Sequence, residues 1–264
     1  AAQSYQIEEN TATTANTVFS ATTNGELMQI SSLQSASPDL RLTVTSDDSQ
    51  QWSGVNLTNG VMGVGSENDI VLNGNVVADS VTVRAEEDVE INQAIDAVSS
   101  VFIASGSGEN MADIRMADTA SVNVSSGSIT MQANGDVLLG SLTASDLIRI
   151  TAAGAINEAK IDTNDNITVG SGKVFLSGVN GVGNLSTLDL SGITNLIVST
   201  DGSVDTSTDA ILTDLTLTLN PDASQSYGIV DNDLVATNLQ FDADSDGSTL
   251  SLNEVRVLTG DLNL

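Results

Sequence analysis

Ile129-Thr130-Met131, Ile148-Arg149-Ile150, Ile167-Thr168-Val169 and Leu188-Asp189-Leu190 decide how this chain is read. Each places two aliphatic side chains on one side of an extended backbone and a polar one on the other, the period-2 signature of a half-buried strand. The steps between them are 19, 19 and 21 residues. Val81/Val83, Val101/Ile103 and Val122/Val124 form a second track with steps of 20 and 21, and Val137/Leu139, Ile156, Val174/Leu176 and Leu196/Val198 form a third. Strands every 8–12 residues would also suit an antiparallel sandwich. Three tracks that each return after ~20 residues describe instead a three-faced coil. The expected fold is all-β, a right-handed parallel β-helix (β-solenoid).

In such a coil the inward Val, Ile and Leu of one turn stack on those of the next at ~4.8 Å, giving a continuous aliphatic column. Val83, Ile103, Val124, Ile150, Val169, Leu176 and Leu190 are expected inside, with Thr82, Asn123, Arg149 and Asp189 pointing outward. A column of constant width suits β-branched residues better than rings, in keeping with an aromatic content of 3%. The two prolines, Pro38 and Pro221, are expected at corners or breaks, because a strand paired on both sides cannot give up an N–H. Clusters such as Ser105-Gly106-Ser107-Gly108, Gly170-Ser171-Gly172 and Asn180-Gly181 supply the turns. Residues 1–211 read as solenoid repeats, and 212–264 as a less regular β-rich continuation.

Lys and Arg number 7 against 35 Asp and Glu, a net charge of −28, while 40% of the residues are hydrophobic. That apolar share can build a core, so the charge reads as a coat on a folded body. The seven cations, Arg41, Arg84, Arg115, Arg149, Lys160, Lys173 and Arg256, are scattered along the chain. Nucleic-acid binding needs them clustered and is excluded on that ground. Membrane insertion is not expected either, since no run of 18 apolar residues is present. With neither Cys nor His, disulfides, thiol nucleophiles, Ser-His-Asp triads and His-ligated metals are unavailable.

The stretch Asp136–Ala144, then Ile148–Ile156, then Asn166–Leu176 and Gly181-Val182-Gly183, resembles the repeats of filamentous haemagglutinin-type exoproteins. Ser80-Val81-Thr82-Val83-Arg84-Ala85 through Asp88-Val89-Glu90-Ile91-Asn92 has the same cadence, and the resemblance covers about residues 54–200. It implies a secreted β-helix displayed on bacterial surfaces for adhesion, biofilm matrix or long fibres. The family's N-terminal Asn-Pro secretion motifs have no clear copy here, and Asn220-Pro221-Asp222 lies far from the start. The resemblance therefore implies an interior or C-terminal piece, or a relative exported by another route.

Carboxylates remain as candidate general acids or bases. Asp47-Asp48, Glu86-Glu87-Asp88 and Asp162/Asp165 are read as solvated turn residues, since carboxylate catalysis needs a cleft that shifts their pKa. No catalytic residue is assigned, and the chain is expected not to be an enzyme. A β-helix that acts on carbohydrate would need close paired carboxylates with a basic or aromatic partner. Asp242-Ala243-Asp244-Ser245-Asp246-Gly247 with Glu254 resembles a calcium loop, with Glu254 one position late and strand-like flanks. Asp242, Asp244, Asp246 and Glu254 are the candidate Ca²⁺ ligands, and an acidic corner turn is the alternative. Asn56-Leu57-Thr58, Asn123-Val124-Ser125, Asn166-Ile167-Thr168 and Asn184-Leu185-Ser186 match the glycosylation triplet, as composition alone would produce. Neither end shows a helix or polar cap in the sequence. The partners expected are therefore a further copy docking end to end, with salt and Ca²⁺ relieving the repulsion, a larger parent chain, or a host or matrix receptor.

Overall fold

The computed structural model describes residues 3–8, 18–23, 27–34, 41–57, 60–106, 110–159, 164–170, 172–183, 185, 187–208, 212–219, 225–228, 234–243, 250–253, 255–257 and 262–263. Among them every regular element is a strand. The chain winds into a β-solenoid of about 8 turns, and each turn visits three faces in the same order.

The first face carries the longest strands. Arg41–Ser46 pairs in parallel with Val61–Ser66, which pairs with residues 80–85, and the stack continues through 100–105 and Ser128–Ala133. Leu147–Ala152, Lys173–Gly178, Asn195–Thr200, Leu212–Leu219 and Leu234–Ala243 follow, all parallel. The second face stacks Ser49–Trp52, Ile70–Leu72, Val89–Ile91, Ile114–Met116, Val137–Leu139, Ala155–Glu158, Gly181–Val182 and Ser203–Val204. The third runs from Val55–Asn56 through 76–78, 95–97, Ser121–Val124, Ser141–Ala144, Ile167–Val169 and Leu188–Ser191 to Thr206–Thr208.

Alternation along each strand decides what fills the interior. Ser128–Ala133 buries Ile129, Met131 and Ala133, and the next first-face strand buries Ile148, Ile150 and Ala152 directly over them. The seven residues expected in the core are all at most 2% exposed, and Thr82, Asn123, Arg149 and Asp189 occupy the outward positions of their strands. Trp52 is fully enclosed, between Ile30 and Leu72 of the neighbouring turns. Its indole N–H donates to Gln50 Oε1 at 3.1 Å, and Gln50, itself buried, donates to the Gly65 carbonyl. The ring brings its own polar partner into the column, which is what a buried tryptophan requires.

Two corrections to the sequence reading concern phase and the N-terminal end. Val122/Val124 does not follow Val101/Ile103 on one face; that place belongs to Ile129/Met131. Likewise Ile148/Ile150 is followed by Val174/Leu176, while Ile167/Val169 stacks on Leu142/Ala144 of the third face. Phe102 and Thr130 are register partners 28 positions apart, and Arg149 and Phe175 are 26 apart, against 20 for Thr82 and Phe102. The extra residues lie in the corners after Ser105 and after Glu158. Each insertion adds about a third of a turn, so a constant ~20-residue step slides onto the next face.

At the N-terminal end, Gln3–Glu8 pairs antiparallel with Arg41–Ser46, and Val18–Thr23 pairs antiparallel with Leu27–Gln34. The expectation of an uncovered end is corrected there. The first turn's strand edges are taken by strands of opposite direction, which satisfies their backbone groups and interrupts the parallel ladder. Pro38 and Pro221 lie outside the described residues.

Candidate functional site

The corner that precedes the second-face strands carries a ladder of carboxylates. Asp69 Oδ1 accepts the backbone N–H of Asp88 at 3.0 Å, Asp88 Oδ1 that of Asp113 at 2.8 Å, and Asp113 Oδ1 that of Asp136 at 2.7 Å. Asp136 Oδ1 closes the series on the Ala155 N–H at 2.7 Å. A corner tilts the peptide out of line with the ladder, and a side-chain oxygen from the turn before completes its bonding. Glycine makes the room. A Cβ on Gly135 would sit 2.1 Å from Asp113 Oδ1, and one on Gly154 2.0 Å from Asp136 Oδ1.

Arg115 joins this ladder laterally, bonding Asp88 through Nη1 and Asp113 through Nη2. Partial burial pulls the guanidinium pKa down, but the hydrogen bond and charge of Asp88, with those of Asp113, outweigh it and hold the pKa above its ordinary value. Replacing Asp113 by alanine should cost about 1–3 kcal/mol, because the Asp136 N–H and Arg115 each lose a partner. Asp113→Asn keeps the oxygen and should cost less than half as much. Urea unfolding of the two variants side by side measures the difference.

The acidic pairs expected to be solvated divide accordingly. Asp88 is a ladder member. Asp48 is buried, its N–H bonded to Ser46 Oγ and its carbonyl accepting from Ser66 Oγ at 2.8 Å. Glu86, Glu87 and Asp165 are exposed, and Asp162 lies outside the described residues. Of the proposed calcium ligands, Asp242 is the penultimate residue of the strand Leu234–Ala243, opposite Thr218, and Asp244, Asp246 and Glu254 lie outside the described residues. Among the described residues no group of three or more carboxylates is arranged to hold a metal ion.

Among the shallow recesses open to solvent are two with described linings. One, of about 430 Å³, lies on the third face, floored by Val77, Val98, Asn123 and Thr143, with Asp96 as its only carboxylate. Asp96 Oδ1 is taken by Asn123 Nδ2 at 2.8 Å. The other, of about 420 Å³, is bordered by Asp69, Glu87, Asp88, Asn110 and Met111, and two of its three carboxylates belong to the ladder. Neither recess brings a basic or aromatic side chain to a pair of carboxylates.

The first face has a different chemistry, which reading in linear order missed. Its eight strands from Arg41–Ser46 to Asn195–Thr200 contain no Asp or Glu, yet they carry Arg41, Arg84, Arg149 and Lys173, four of the seven cations. All four are exposed. Arg84 lies over the Phe102 ring at 4.3 Å and Arg149 over Phe175 at 4.2 Å, cation–π distances in both cases. The signal was present as the cadence polar-aliphatic-polar with no acid in any of these segments. It becomes visible once the corner insertions are counted and the strands are aligned by face. Compared with protein-family models, curated proteins and solved structures, the chain matches none of them.

Proposed function

We propose that this chain is a passive, extracellular structural and adhesive rod on a bacterial surface, of the filamentous haemagglutinin type that its repeats resemble. The observation that carries the reading is the uninterrupted column of buried aliphatics across the stacked turns, in a chain with no cysteine to staple it. A solenoid of this kind bonds every turn to the next along its length, so it supports a surface at a distance and presents whole faces to a partner. The carboxylates with defined positions hold corners together, which supports a non-catalytic role.

The competing reading, a filament subunit joined end to end with Ca²⁺, requires open edges at both ends. The antiparallel strands at Gln3–Glu8 and Val18–Thr23 oppose such a joint at one of them. Adhesion is tested by coating fluorescent beads with the chain and washing them over matrix-covered surfaces. Retention severalfold above beads carrying the heat-denatured chain is expected, and equal retention contradicts the reading. Incubation with uronic or neutral polysaccharides should leave their length unchanged. Sustained depolymerisation abolished by one Asp→Asn change would establish an enzyme instead.

A further inference from the structure

We infer that the acid-free part of the first face, from Arg41–Ser46 to Asn195–Thr200, binds an extended, carboxylated, unsulfated polysaccharide laid along the solenoid axis, an inference that rests on the adhesive reading and names its partner. The face is exceptional in this molecule. A chain with a net charge of −28 places no carboxylate in eight successive strands of one face and puts most of its cations there.

The outward positions line up in register. Thr82, Phe102, Thr130, Arg149, Phe175 and Ile197 are successive register partners. With turns ~4.8 Å apart, this column runs ~24 Å, and the two Arg-over-Phe pairs recur after three turns, ~14 Å. Arg84 and Arg149 have no ion-pair partner among the described residues, and each is parked on a ring. A guanidinium stacked on a ring keeps its in-plane N–H donors available for a carboxylate, which it can grip with two parallel bonds. The rings and threonine hydroxyls between the cations offer what a sugar needs, an apolar platform and hydrogen-bonding groups.

The form and charge of the partner follow from the same arrangement. A peptide strand adds to a sheet edge and a peptide helix lies in a groove. This surface is the flat face of strands paired on both sides, so a protein segment finds neither. The cations are few, four across eight turns, matching a sparsely charged polymer. A densely sulfated chain needs clustered Lys and Arg. It would also be repelled by the acids bordering the face, Glu67, Glu86 and Glu87 beyond one end of the strands and Asp79 and Asp146 before the other.

The test uses the intact chain on surfaces bearing hyaluronan, heparin, dextran or poly-glutamate, at about 50 mM and about 300 mM salt to expose the screened part. Hyaluronan should retain the protein best and release it with salt. The pair R84E/R149E should lower retention at least tenfold, the pair F102A/F175A at least fivefold, and T143E on the third face should leave it unchanged. Circular dichroism melts guard against misfolding, and K173E, two residues before Phe175 on the same strand and not one of the two ring-stacked cations, gives a second charge variant, expected to weaken binding a fewfold. No retention on hyaluronan, tighter retention on heparin or poly-glutamate, or indifference to both double variants would each overturn the inference. Beads that adhere to matrix equally well with R84E/R149E would sink this site and leave the adhesive reading standing. Beads of the unaltered chain that fail to adhere sink the reading itself.

Discussion

Replacing Ile150 by alanine should destabilise the protein by about 2–5 kcal/mol, the range for truncating a fully enclosed aliphatic side chain. Ile150 is 0% exposed and stacks between Met131 of the turn below and Leu176 of the turn above, both also 0% exposed. The column has no solvent-facing route along which it could collapse, because each turn is held by backbone ladders on three faces. The cavity should therefore persist, and its cost should be shared with the adjoining turns. Urea denaturation gives the total. Hydrogen exchange should show protection lost at Leu147–Ala152 and its two stacked neighbours first, with Arg41–Ser46 least changed. A loss below about 1 kcal/mol would mean that the site relaxes and that the column is not close-packed there.

Gly127→Ala should be comparably damaging for a different reason, costing about 3 kcal/mol or more. Gly127 forms the corner entering Ser128–Ala133, and a Cβ built on it would lie 1.9 Å from the Ser99 carbonyl oxygen of the preceding turn. The obstruction is backbone, the irregular stretch between Ala97 and Ser100, so no rotamer change relieves it. Gly170→Ala is the control. It too is a corner glycine, but its Cβ would come no nearer than 3.9 Å to the Ser145 oxygen, so its melting temperature should stay close to that of the unaltered chain. Equal shifts for the two variants would show that close approach of successive corners is not what selects glycine at 127.

The alternation that fixes strands and core was legible because it is a property of single segments. Val83, Ile103, Ile150 and Leu190 could each be assigned inward from their immediate neighbours. Track membership was not legible, since it depends on corner lengths that leave no mark on the alternation. The segments after Ser105 and after Glu158 each add about a third of a turn, which preserves a ~20-residue rhythm while moving it to another face. The same displacement hid the acid-free face, whose Phe102 and Arg149 belong to one column only when the insertions are taken out. The carboxylate ladder was hidden differently. Asp69, Asp88, Asp113 and Asp136 look like ordinary turn residues one at a time, and only stacking shows each oxygen meeting the next turn's N–H. The antiparallel cover at the N-terminal end had no sequence signal, because a strand that pairs antiparallel alternates like one that pairs in parallel.

The most direct test of the three-faced stack is a set of electron–electron distances between spin labels on the outward column of the first face. Labels at Thr82 and Ile197 are five turns apart by register and should lie ~24 Å from one another, and labels at Gly63 and Ile197, six turns apart, ~29 Å. Distances that grow by one strand spacing per turn, across both insertions, are the predicted result. A Thr82–Ile197 distance that departs from this by more than two strand spacings, or distances that fail to rise in step with turn number, would contradict the fold and everything built on its faces.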